Sequence, residues 1–125
     1  MRKAIKMYNH MNAQTQLTDA SPHKVIQLLM AGAVDRLIKV SAMMENGTGH
    51  YHDILANAID IILALNSALD MEKGGEISAN LNSLYDYMQL QLVHANIERD
   101  HKKVDEVIEL IKTIKDGWDQ ISDEG

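Results

Sequence analysis

Two adjacent glycines, Gly74 and Gly75, interrupt a chain whose apolar residues otherwise recur at helical spacing, and this break constrains the fold more than any other feature. Gly74 is expected to take the left-handed conformation that closes a helix, which costs a residue with a side chain more. Gly75 and Glu76 then let the chain reverse and restart with an acid at the positive end of the next helix. The run Leu69-Asp-Met-Glu-Lys-Gly-Gly-Glu76 therefore reads as the hinge of a helical hairpin.

The apolar pattern predicts two helices before the hinge and two after it. Ser21 can cap and Pro22 can occupy the first helical position of a long helix. Ile26, Leu29, Met30, Ala33, Leu37, Val40 and Met44 fall on one face of it, and Glu45-Asn46-Gly47-Thr48-Gly49 ends it. The second helix is expected from about His50 or Tyr51 to about Asp70, with Ile54, Leu55, Ala58, Ile61, Ile62, Leu65 and Leu69 inward. Beyond the hinge, Ile77, Leu81, Leu84, Tyr85, Met88, Leu92 and Ala95 form the third inward stripe, which fades at Glu98-Arg99-Asp100. Asp100 can cap a fourth helix carrying Val104, Val107, Ile108, Ile111, Ile114, Trp118 and Ile121.

Connections of a few residues cannot carry a chain back along a helix of roughly 30 Å, so sequential helices must run antiparallel. The expected fold is all-α: an antiparallel up-and-down four-helix bundle over residues 21–122, within a single domain of residues 1–125. A short N-terminal helix or lid precedes it, because Met1, Ala4, Ile5, Tyr8 and Met11 make a weak stripe before the polar connector Asn12 to Asp19. A helix that short is marginal in water and must dock on the bundle or fray.

With 125 residues and 46% hydrophobic content, the chain can build one core but hardly two. It has no cysteine, which excludes disulfides, thiolate metal sites and thiol nucleophiles and makes the cytoplasm the default compartment. Tyr8, Asn9, His10, Asn12 and Gln14 interrupt what would have to be a signal core, and no apolar run reaches membrane-spanning length. The reading is neither export by a signal peptide nor membrane insertion. A formal net charge of −6 argues against nucleic acid, whose binding draws on clustered Lys and Arg. The 8 methionines fit core gap-filling or, alternatively, a plastic partner surface.

Catalysis and metal binding find no pattern here. His50 and His52 beside Asp53 point in different directions on a helix, and His94 with Glu98 lacks a second pair. Asp70, Glu72 and Glu76 lack calcium-loop spacing and are explained by helix-end electrostatics. Lys73-Gly74-Gly75 has neither phosphate-loop spacing nor a preceding strand, and Ser41, Ser67 and Ser83 sit in helices with no nucleophile elbow. No cofactor is expected.

The positive signal is surplus apolar surface. A bundle helix needs one inward stripe, yet three helices carry a second. Leu90, Val93 and Ile97 lie roughly opposite Leu81, Leu84 and Met88; Ile59 with Leu63, and Val34 with Ile38, form weaker flanking pairs. Such residues either bury the bundle's flanks or the N-terminal segment, or receive an amphipathic helix from a partner. A regulatory adaptor or an obligate oligomer would use the same stripes, and a small helical metal-dependent enzyme is the rival from another class.

Several ordered motifs resemble the FliS family of flagellin export chaperones over nearly the whole chain. Ala20-Ser-Pro-His-Lys24 resembles the start of its first long helix, and Gly32-Ala33 sits at its Asp-Gly-Ala position. Asp70-Met-Glu-Lys-Gly-Gly-Glu-Ile77 resembles its central hairpin, continued by Leu84-Tyr-Asp-Tyr-Met88 and Ala95-Asn96. Ile5 and Tyr8 match its N-terminal apolar residue and tyrosine. Met30-Ala31 departs from the aromatic residue and acid common in the family, which suggests a local change in core or groove. The resemblance implies a cytoplasmic, non-enzymatic bundle that binds the disordered C-terminal segment of flagellin, delays polymerisation and delivers the subunit to the export machinery. Ile5, Tyr8, Val34, Ile38, Ile59, Leu63, Leu90, Val93 and Ile97 are the candidate partner-binding residues.

Overall fold

In the computed structural model, which describes residues 21–121, the chain forms four helices: α1 (Pro22–Asn46), α2 (His52–Ser67), α3 (Met71–Glu98) and α4 (His101–Asp119). The expected N-terminal helix or lid with Ile5 and Tyr8, and residue 122, lie outside the described residues. Each helix packs on its neighbours in sequence, and α4 closes the ring against α1. Polar contacts give the direction: Trp118 near the end of α4 donates its indole N–H to the His23 carbonyl at the start of α1 (3.0 Å), while Ser41 late in α1 donates to Asp105 early in α4 (2.5 Å). The arrangement is the expected antiparallel four-helix bundle.

The helix ends follow local chemistry. Ser21 accepts from the Lys24 amide (3.1 Å) with Pro22 beside it, and Gly47 closes α1 in the left-handed conformation (φ 64°). Asp100 caps α4 by accepting from the Lys102 amide (3.0 Å). The hinge differs from expectation. Helix α2 already ends at Ser67, Asp70 caps one helical turn by accepting from the Glu72 and Lys73 amides, and the break falls at Gly75 (φ 50°, ψ −124°). Gly75, not Gly74, therefore has the conformation that needs glycine. Gly74 is needed for space: a Cβ there would overlap Ser78 Oγ and stand 2.8 Å from Ser78 Cβ.

The core is built from Leu29, Leu37 and Val40 of α1, Ile61 and Ile62 of α2, Met88 and Leu92 of α3, and Val104, Val107 and Ile111 of α4. Ile26 is half-buried and packs against it, with Val25 buried beside it. Two expected inward residues do not reach it. Ile121 is exposed because α4 ends two residues earlier. Ile77 has the right phase but is 72% exposed. Helical side chains lean toward the N-terminus, so Ile77 leans over the broken turn at Gly75 and finds no continuous helix beneath it.

Val34, expected on a partner-binding flank, is buried and is corrected to the core. The reason lies in its row. Gln27 and Ser41, seven residues to either side, both bond to α4, at Asp119 (2.8 Å) and Asp105. Val34 thus sits in the α1–α4 seam. Met30 is buried too, so the departure Met30-Ala31 changes the core at Met30. Of the methionines among the described residues, Met30, Met44 and Met88 are core, Met43 packs against it, and Met71 is exposed.

Candidate functional site

Helix α3 carries the surface that the core does not use. Leu90 (56% exposed), Val93 (47%) and Ile97 (74%) lie about 150° around the helix from the buried Tyr85, Met88, Leu92 and Ala95. No rotation of α3 could bury both sets in one bundle. The outer row extends backward through Asp86, Ser83 and Ala79, all exposed, at alternating spacings of four and three residues. That spacing keeps one seam on a helix over its whole length. Between Glu76 and Glu98 the only acidic or basic residue is Asp86, His94 aside, in a chain that is 24% charged overall. Depletion of charge on an exposed face is the compositional mark of an interface centre.

Helix α2 borders this row. Asn66 donates to Asp86 (3.2 Å), and following the two antiparallel helices from that contact brings Ile59 level with Val93 and Leu63 level with Gln89. Leu63 is 44% exposed and Ile59 is half-buried against the core. At the hinge end, Leu63, Asn66, Ser67, Met71 and Asn82 line an open depression with a volume of about 250 Å³. The side of α3 toward α4 is held by polar contacts. Tyr87 Oη and Gln91 Nε2 both donate to Glu106, at 2.8 and 2.7 Å. The bond to that carboxylate, then burial and the carboxylate charge, raise the Tyr87 pKa above its usual value.

The structure thus brings Ile59, Leu63, Leu90, Val93 and Ile97 onto one corner of the bundle and leaves Ile38 (48% exposed) elsewhere, one turn on from Val34 beside the α1–α4 seam. Ile5 and Tyr8 lie outside the described residues. Asp86, Tyr87 and Met71 belong to the site although apolar spacing alone passed over them. The lack of other charge between Glu76 and Glu98 was the signal that could have pointed to the stretch holding Asp86 and Tyr87; Met71 lies outside it and carried no such signal.

Among the described residues, no group of three or more His, Asp or Glu side chains gathers to hold a metal ion, and no helix is long and apolar enough to cross a membrane. Ser41, Asp105 and His101 form a chain in which the acid stands between serine and histidine, with His101 Nδ1 3.3 Å from Asp105. A nucleophile needs the histidine in the middle, so this chain is a tether between α1 and α4.

The family model described as flagellar protein FliS matches residues 4–125. The chain belongs to the FliS family. It is 46% identical to the flagellar secretion chaperone FliS of Vibrio cholerae over 99% of this chain and 92% of the relative. It is 45% identical to the flagellar secretion chaperone FliSB of Pseudomonas aeruginosa, over 96% of each chain. The flagellar secretion chaperone FliS of Salmonella typhimurium is 39% identical over 94% of this chain and 89% of its own length. FliS membership agrees with the hinge and helix-start motifs.

Proposed function

We propose that this protein is a cytoplasmic flagellar export chaperone that acts without catalysis. It binds the disordered C-terminal segment of flagellin, prevents its premature polymerisation and assists its delivery to the export machinery. The observation that carries this reading is the outer face of α3, where Leu90, Val93 and Ile97 stand exposed at helical spacing on a nearly uncharged surface. The names of the relatives supply the process, and the geometry supplies the means. A groove of this kind accepts an amphipathic helix, and burial contributes roughly 25 cal/mol per Å² of apolar area before the cost of ordering the segment is subtracted.

Titration of a flagellin C-terminal peptide tests the proposal. Binding is expected to show a negative heat-capacity change and a gain of helix beyond the sum of the free components. Replacing Leu90, Val93 and Ile97 together with Ser should weaken binding by about a hundredfold or more while leaving urea stability nearly unchanged. Met88→Ala should do the reverse, costing about 2–5 kcal/mol of stability and sparing affinity per folded molecule. Binding without any gain of helix would overturn the mechanism. Undiminished affinity in the triple variant would move the site off α3.

A further inference from the structure

We propose that Asn46 is a site of spontaneous deamidation in the folded protein, and that the hydrogen-bonded cap ending α1 is the gate that sets its rate.

The chemistry needs an asparagine amide and a following backbone nitrogen that can reach it. Asn46 is the sole asparagine in the chain followed by glycine; Asn57, Asn66, Asn80, Asn82 and Asn96 lie within helices and precede residues with side chains. Asn46 and Gly47 are both exposed, and among the described residues nothing stands within 4 Å of the place a Gly47 Cβ would take. In the reaction the Gly47 nitrogen gives up its proton to a base and attacks Asn46 Cγ. The new N–Cγ bond closes a succinimide, the Cγ–Nδ2 bond breaks, and ammonia leaves. Water then opens the ring at either carbonyl. One opening leaves aspartate; the other routes the backbone through Cβ and Cγ as isoaspartate. The net change is water taken up and ammonia released, with no change of oxidation state.

The fold puts a barrier in front of that nitrogen. Gly47, left-handed at φ 64°, donates its N–H to the Met44 carbonyl (3.2 Å), and Thr48 donates to the Met43 carbonyl (3.0 Å). These two bonds are the pair that closes a helix around a left-handed glycine. They hold the Gly47 nitrogen back along the helix, and Asn46 is itself the last helical residue, so attack requires the cap to open. The cap is weakly held. The last turn of α1 reads Met43-Met-Glu-Asn46, with no basic residue and with the Glu45 charge at the helix's negative end. The products weaken it further. Aspartate brings a second charge to that end, and isoaspartate lengthens by a carbon the loop that the Thr48–Met43 bond closes, next to Met44 in the core.

Base-catalysed exchange of the Gly47 amide needs the same opening and the loss of the same proton, so it measures the gate independently. Full-length protein is incubated at mildly alkaline pH while peptide mass spectrometry follows conversion of each asparagine and hydrogen exchange is read in parallel. The same chain unfolded in guanidinium chloride is the reference for both rates. Conversion of the amide to acid is the specific readout, because Asp116-Gly117 can also form isoaspartate by losing water. Conversion at Asn46 should be slower in the folded protein by on the order of ten- to hundredfold, the same factor that protects the Gly47 amide, because helix ends open far more readily than the whole fold. Glu45→Lys should slow both rates by about twofold to fivefold against its own unfolded chain, since a cation suits the carboxyl end of a helix. Asn46→Gln should abolish conversion at this position. Slowing by at least about a thousandfold, as passage through global unfolding would impose, overturns the site in the native state. Conversion out of proportion to Gly47 exchange, or unaffected by Glu45→Lys, overturns the cap as the gate. Earlier conversion at Asn66 or Asn82 overturns the assignment.

Discussion

Among the described residues the buried Tyr51 hydroxyl has no hydrogen-bond partner, while its ring stacks on His52 with centroids 4.6 Å apart. The ring contributes packing; the hydroxyl has lost water and gained nothing described in return. Removing such a group recovers part of a desolvation cost of about 1–3 kcal/mol. Tyr51→Phe should therefore raise the urea midpoint at an unchanged slope, and a lowered midpoint would show that the hydroxyl is bonded. Tyr85 has a different cost, because burial pushes its pKa up to about 12 from 10.0. A folded-state pKa above the unfolded value means that the unfolded chain releases the proton first as pH rises. Stability is then full below about pH 10 and falls between about 10 and 12, by about 2–3 kcal/mol from this group. Alkaline denaturation of Tyr85→Phe should be correspondingly shallower in that window, and identical curves would sink the assignment.

At the scale of elements, the hinge is the most informative comparison between pattern and structure. The pair of glycines correctly marked a helical hairpin, but periodicity carries no information about which glycine needs φ and which needs space. Gly75 has the positive φ and open surroundings; Gly74 has ordinary backbone and Ser78 pressed against it, with Ser78 Oγ donating to the Asp70 carbonyl (3.0 Å). Gly75→Ala should cost about 1–3 kcal/mol whatever its neighbours, since the penalty is local to its own backbone. Gly74→Ala should cost more and be largely rescued by Ser78→Gly, which removes the atoms in the way. Urea unfolding of the two singles and the double gives the coupling energy directly, and strict additivity would reject the steric account. The same limit of pattern explains Val34 and Ile77. Phase around one helix was legible, whereas the seam with α4 that buries Val34 and the break that exposes Ile77 depend on other elements. Leu90, Val93 and Ile97 were legible because they oppose their own helix's core, a relation internal to α3.

For the whole molecule, the uneven use of the four helices sets where it opens. Helix α1 buries eleven of its 25 residues, packs heavily on both α2 and α4, and is tied to α4 by the Ser41–Asp105 and Trp118–His23 bonds. Helix α3 buries five of 28, is broken at Gly75, and turns its second apolar row to solvent. Local opening free energy follows the apolar contacts an element must surrender, so α3 should open well before the bundle unfolds. Native-state hydrogen exchange is therefore expected to show amides of α3, above all residues 76–84 after the break, exchanging through a subglobal opening, while the middle of α1 exchanges only with global unfolding. A partner helix on Leu90, Val93 and Ile97 would add to α3 the contacts it lacks, so saturation with flagellin peptide should slow α3 more than α1 and bring the two toward a common value. Equal protection of α1 and α3 in the free protein would show that the bundle opens only as a unit and that the outer row of α3 costs the fold nothing.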